Sequence, residues 1–219
     1  MSAQTASSSK KVTAAGTKAA GTKNAANTKA AGAKKTGKSV GEKTKMEIRL
    51  AGSGGQGIIL ATIILAEAAI EAGKYTAQSQ SYGPEARGGM CKAEVLIDEE
   101  PIGYTKVENP TFLMALTQVA LDKYAKTVDK NCKILVDSSL TVPDYLDPNM
   151  VTKAPILETA IKGVGKAFTA NIVAVAAINA LLGLVDYDSL HTAVMAHVPK
   201  GTEEINEKAL KMGAELIKK

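Results

Sequence analysis

The short strand pattern Met46-Glu47-Ile48-Arg49-Leu50 runs directly into LAGSGGQG at 50–57 and then into an apolar stretch over 58–70. Few folds accept that order. Gly52, Gly54 and Gly57 have G-x-G-x-x-G spacing, which predicts a strand, a tight turn and a helix at the start of a domain. Glycine permits positive φ and close approach to the backbone, and the free N–H groups of a helix start face an anion with the helix dipole behind them. Gly52, Ser53, Gly54, Gly55, Gln56 and Gly57 are therefore candidates for an anion cradle, the alternative being a tight turn needed only for packing. A dinucleotide site adds an acidic residue about 20 positions on, at the end of the second strand. The candidate second strand, 75–80, reads YTAQSQ, and no acid follows until Glu85, which counts against a nicotinamide dinucleotide.

Residues 1–45 are a different material. They hold ten lysines against one acid, Glu42, in a background of Ala, Gly, Ser and Thr, so they carry +9 of a net +5 and leave −4 for 46–219. With no apolar face this segment cannot bury enough surface to offset the cost of ordering, and a disordered tail is expected. Such a tail touches nucleic acid phosphates in a salt-dependent way or acts as a solvated extension. Arginine is missing from it, which argues against an organelle transit peptide.

The 174 residues of 46–219 suit one domain. The apolar stretch 170–184 is broken by Asn171, Asn179 and Gly183 and falls short of the roughly 18 to 20 residues of a membrane span, so no membrane association and a cytoplasmic location are expected. Cys91 and Cys132 stand 41 positions apart without a paired motif, which fits a reducing compartment and argues against a metal or iron–sulfur site built by this chain alone.

Strand and helix patterns alternate: strands at 46–51, 75–80 and 92–97, a helix at 57–72, and a short buried strand at 133–139 whose Asp137 and Ser138 either meet a ligand or cap a turn. Asn109-Pro110 reads as a helix start, with Phe112, Leu113, Leu116, Val119 and Ala120 at helical spacing, and three helices are expected at 169–182, 186–196 and 201–217. The fold class is α/β: a Rossmann-like layered sheet with a glycine-rich first strand-to-helix loop and C-terminal helices, preceded by the tail. His191 and His197, six residues apart, do not share a helical face and are expected in surface or core roles; Lys166 is ambiguous.

A second motif, SYGPEARGG at 81–89, places Tyr82, Glu85 and Arg87 in a loop shaped by Gly83, Pro84, Gly88 and Gly89. Arg87 is a planar fork suited to a carboxylate or phosphate; a Glu85–Arg87 pair that only staples the loop is the alternative. LAGSGGQG and SYGPEARGG, about 30 residues apart, together resemble the gamma subunit of the 2-oxoacid:ferredoxin oxidoreductases over essentially all of 46–219, including TANIVAVAAINALLG at 169–183. SYGPEARGG followed by AEVLI looks like the 2-oxoglutarate type more than the pyruvate type.

The resemblance implies a subunit rather than a complete enzyme. The family decarboxylates a 2-oxoacid on thiamine diphosphate, passes electrons through iron–sulfur clusters to ferredoxin, and releases the acyl group as its coenzyme A thioester. Thiamine diphosphate, its magnesium and the clusters are expected on alpha, beta and delta partners, with no cofactor held by this chain alone. No thiamine-binding G-D-G pattern with its downstream asparagine is visible here. The phosphates of coenzyme A are then the anions that 52–57, Tyr82, Glu85 and Arg87 are placed to meet. Two other readings remain at this point: a nucleotide-binding regulatory module, weakened by the lack of G-K-[ST] and of a ribose acid, and nucleic-acid binding through the tail.

Overall fold

The computed structural model describes residues 45–82 and 89–217; the tail, 1–44, lies outside them. β1 (Met46–Ser53) leads through the glycine turn into α1 (Ile58–Glu71), and β2 (Tyr75–Tyr82) and β3 (Met90–Asp98) follow as an antiparallel pair. Then come β4 (Phe112–Ala115), α2 (Gln118–Tyr124), β5 (Lys133–Asp137) and β6 (Val151–Ala154). A short α3 (Ile156–Glu158) continues as a π-helical turn over Thr159–Val164, and α4 (Ala170–Leu182), α5 (Tyr187–His197) and α6 (Glu203–Glu215) close the domain.

The six strands form one sheet in the order β2-β3-β1-β4-β5-β6. β1, β4, β5 and β6 run parallel, whereas β3 lies antiparallel between β1 and β2. Side-chain alternation divides β1 between two cores. Ile48 and Leu50 face α1, α4, α5 and α6, while Ala51 joins Leu113, Ala115, Ile134, Val136 and Leu121 beneath α2. Each fully buried Ile, Leu or Phe here contributes about 1.5–3 kcal/mol relative to exposure.

α1 and α2 therefore cover opposite faces, so the chain leaving β1 and the chain leaving β4 part in opposite directions. Neighbouring parallel strands that diverge in this way open a crevice at their carboxyl ends, the usual ligand position in open α/β sheets. The glycine turn stands at that crevice.

The expected helix after Asn109-Pro110 is not formed. Phe112–Ala115 is a strand buried on both faces, and α2 starts later, at Gln118, where Thr117 accepts from Ala120 N at 3.4 Å. A central parallel strand has no polar face, so its sequence loses the two-residue period and FLMAL reads as well for a helix. Val119, assigned by spacing to the buried face, is 67 % exposed. β6 and the Ile156–Val164 segment were not expected at all; VTKA is too short and too polar on an edge to show a pattern. The other strands, α1 and the three C-terminal helices lie where the sequence places them, within two residues at their ends. Among the described residues no helix is long and apolar enough to cross a membrane.

Candidate functional site

β1 ends in Gly52 and Ser53, and the backbone then turns through Gly55 at φ 94° and Gly57 at φ 71° before α1 begins at Ile58. Both values lie in the left-handed region that favours glycine. The turn is fixed largely from within. Gln56 folds back so that its Oε1 accepts from Ser53 N at 2.7 Å, while Gln56 N donates to Ser53 O at 3.3 Å. A Cβ on Gly52 would run into Gln56 Oε1 and, at 3.1 Å, Ile58 Cδ1.

The two sequence motifs meet here. Gly54 N donates to Gly89 O at 2.9 Å, joining the glycine turn to the last residue of SYGPEARGG. Cross-strand register extends the junction: Ser53 pairs with Met90, Gly52 with Cys91, and Cys91 in turn with Tyr82 on β2. The Tyr82 backbone is thus two strands from Gly52, about 10 Å away at normal strand spacing. Glu85 and Arg87, with the rest of 83–88, lie outside the described residues.

These bonds redistribute the expected cradle. The N–H groups of Ser53, Gly54 and Gln56 are taken by protein acceptors, which leaves the anion-binding capacity to Gly55, Gly57 and the first turn of α1. No side chain caps that turn. An uncapped start of a 14-residue helix at a sheet crevice is a polar environment that favours a negative group. A cavity of about 480 Å³ lined by Lys126, Lys130, Tyr145 and Met150 lies by the amino ends of β5 and β6, away from the glycine turn.

Asp137, which the sequence leaves between ligand contact and turn cap, is the cap. It is 2 % exposed; Oδ1 accepts from Ser139 N at 3.0 Å and Ser139 Oγ at 2.5 Å, and Oδ2 from Leu157 N at 2.8 Å, tying the end of β5 to α3. The histidines sit on α5. His191 packs against Tyr187 with ring centroids 5.8 Å apart, and His197 Nε2 lies 2.7 Å from Glu67 Oε2 on α1, off the line of a hydrogen bond. The Lys166 carbonyl accepts from Thr169 N and Thr169 Oγ1 just ahead of α4.

Neither thiol is poised to react. Burial raises the Cys91 thiol and pushes Cys132 up to about 11. They lie in different cores on opposite faces of the sheet, so they do not converge on a common ligand. A buried charge network fills the α2-side face of β1 and β3: Arg49 Nε is 2.7 Å and Lys92 Nζ 2.9 Å from Glu94 Oε1, and Arg49 Nη2 donates to Val107 O at 3.2 Å. The guanidinium also lies 5.5 Å from the centre of the Tyr124 ring.

Sequence reasoning missed Asn171. It stands in the first turn of α4, 6 % exposed, and a Cβ on Gly57 would lie 2.6 Å from its Nδ2. The available signal was a lone carboxamide opening an otherwise apolar helix, TANIVAVA.

An α/β sheet with a glycine turn bonded to a second glycine-rich motif at the crevice has the layout of a ligand-binding unit, and comparison with known proteins gives the family. Residues 47–216 match the pyruvate ferredoxin/flavodoxin oxidoreductase family, and the chain belongs to it. It is 44 % identical over 179 residues to 2-oxoglutarate synthase subunit KorC of Methanocaldococcus jannaschii, covering 80 % of this chain and 96 % of that one. The solved gamma subunit of keto/oxoacid ferredoxin oxidoreductase from Geobacter sulfurreducens superimposes with a TM-score of 0.70 at 42 % identity, over 79 % of this chain and 96 % of that one. A 2-oxoglutarate:ferredoxin oxidoreductase from Magnetococcus marinus, solved with 2-oxoglutarate, coenzyme A and succinyl-CoA, shares the fold (TM-score 0.72, 21 % identity), over 81 % of this chain and 32 % of that longer one. Family membership leaves the nucleotide-binding regulatory module and the nucleic-acid-binding protein without support as readings of the domain.

Proposed function

We propose that this chain is the gamma subunit of a multi-subunit 2-oxoglutarate:ferredoxin oxidoreductase, which converts 2-oxoglutarate and coenzyme A to succinyl-CoA and carbon dioxide while two electrons pass to ferredoxin. The near full-length match to KorC subunits carries the substrate assignment. Thiamine diphosphate with magnesium supplies the decarboxylation chemistry, and it belongs with the iron–sulfur clusters on alpha, beta and delta partner chains. The arrangement of Cys91 and Cys132 in separate cores supports that division.

Within the complex, the part of this chain is to hold the phosphates of coenzyme A at a subunit junction. The supporting observation is the uncapped start of α1, held open by Gly55 and Gly57 and bonded through Gly54 to the motif that carries Tyr82, Glu85 and Arg87. The open amides meet a phosphate oxygen, and Arg87 adds a paired, charged donor from the segment joining β2 to β3. Glu85 orients Arg87, and Ser53 and Gln56 set the turn by their mutual bonds. Gly54→Asp and Arg87→Ala, made in the assembled complex, are expected to raise the coenzyme A KM at least tenfold with little change in the KM for 2-oxoglutarate. An unchanged coenzyme A KM and turnover in both would make the two loops structural parts of the interface.

A further inference from the structure

The segment between β6 and α4 presents apolar side chains to solvent on a fixed support. Its π-helical turn, Thr159–Val164, buries Ala160 and Val164 but leaves Ile161 56 % exposed. The next turn, Ala167–Thr169, leaves Phe168 57 % exposed, and the two turns pack against each other. Hydrogen bonds hold both in place: Lys166 N donates to Ala160 O at 2.9 Å and Thr169 N to Lys166 O at 3.1 Å. Gly163 sits so close to α6 that a Cβ there would run into Met212 Cε. The Lys166 side chain, in the link between the turns, is exposed and makes no hydrogen bond or ion pair among the described residues. The other large apolar residues of similar exposure, Tyr104, Val119, Tyr145 and Tyr187, are dispersed over separate loops and helices. Single exposed apolar residues are ordinary; two on adjoining, rigid turns beside an unpaired cation mark a contact surface.

The lengths of the relatives say what covers it. Ketoisovalerate oxidoreductase subunit VorA of Methanothermobacter thermautotrophicus is 35 % identical over 178 residues, which is 80 % of this chain and 37 % of that one. There the domain is tethered to a larger remainder, whereas the match to KorC takes up 96 % of the KorC chain. A contact made within one polypeptide in VorA is then a contact between two chains beside a KorC-like subunit. The surface also stands in the right place. α4 begins at Ala170, two residues after Phe168, and its first turn meets Gly57, so Phe168 lies on the same rim as the glycine turn. We propose that Ile161, Lys166 and Phe168 dock the separate chain that corresponds to the remainder of VorA, with Phe168 entering an apolar pocket and Lys166 meeting a carboxylate at its edge. The proposal rests on the reading that this chain is one subunit of a larger oxidoreductase, and it adds the surface and the partner. An aromatic side chain on a preset turn loses little freedom when it docks, which favours it as an anchor.

A benzophenone side chain in place of Phe168, irradiated in the assembled complex, is expected to crosslink this chain to one whose peptides match the remainder of VorA. The same group in place of Tyr145, 55 % exposed by the amino ends of β5 and β6, is expected to leave that chain unlinked. Phe168→Asp is expected to cut recovery of the partner with the tagged chain about tenfold or more. The circular dichroism of the purified variant stays native, since an exposed acid just ahead of α4 suits that helix start. Equal crosslinking from both positions, a crosslink from 168 to a second copy of this chain, or native recovery with Phe168→Asp overturns the surface and leaves the subunit reading standing. So does a complex without any chain that matches the remainder of VorA. A tagged chain that brings down no partner chains at all removes the subunit reading, and the proposal with it.

Discussion

Replacing Glu94 by leucine leaves Arg49 as a buried cation with only the Val107 carbonyl and the face of Tyr124 for company. The Arg49 and Glu94 side chains are 9 % and 8 % exposed, so solvent does little to relieve either charge when its partner goes. Breaking such a pair from one side costs about 3–5 kcal/mol, most of it the desolvation of the charge left behind. Arg49→Met is milder. Glu94 keeps Lys92 at 2.9 Å, and Lys92 is 23 % exposed and free to adjust, so the cost is about 1–3 kcal/mol, mainly the lost donor to Val107 O. The pair Arg49→Met with Glu94→Leu removes both charges and is expected to cost less than Glu94→Leu alone, so the two effects are strongly non-additive. Urea unfolding of the four proteins by circular dichroism measures this directly, with m-values checked for constancy. The reasoning fails if Glu94→Leu costs no more than Arg49→Met, or if the double variant shows the sum of the two single losses.

Gly57→Ala forces a left-handed φ on a residue with a Cβ and drives that Cβ into the Asn171 amide; a loss of about 2–4 kcal/mol is expected, and a double-mutant cycle with Asn171→Ala returns the collision part. An unfolding experiment that finds the two changes additive removes the contact. Gly213→Ala sets a methyl against Val173 O and, at 2.8 Å, Ala176 Cβ, where α6 crosses α4; about 1–3 kcal/mol of stability is lost, and a melting temperature within a degree of the native value contradicts it. Cys132 ionises near 9 when unfolded and at about 11 when folded, so the unfolded state releases its proton first and stability falls as pH rises between those values. Cys132→Ala is expected to flatten that decline, and an identical alkaline profile in the variant refutes the burial argument.

Periodicity made the outer framework readable. β1, α1, β3 and the C-terminal helices each have either a polar face or a clear start and stop, and those signals survive in a single sequence. Central strands do not keep them: Phe112–Ala115 is buried on both sides, so its run of apolar residues matched a helix as well as a strand. The glycine turn was visible because its backbone geometry restricts which residues can occupy it, and the structure gives Gly55 and Gly57 the positive φ such a turn requires. What spacing could not show was which amides remain open. Gln56 consumes the Ser53 N–H by a fold-back within the turn that spacing alone does not dictate, and Gly89 consumes that of Gly54 through a contact set by strand register. Asn171 is distant in sequence for the same reason; only the packing of α4 beside α1 brings it to Gly57.

Tagging this chain in its native host, purifying it under nitrogen, and assaying the eluate for dye or ferredoxin reduction with 2-oxoglutarate, pyruvate and branched 2-oxoacids tests the central claim most directly. The account predicts iron-bearing partner chains and a reduction that requires coenzyme A and is fastest with 2-oxoglutarate. An eluate holding this chain alone, with no coenzyme A-dependent reduction of any 2-oxoacid, would contradict it.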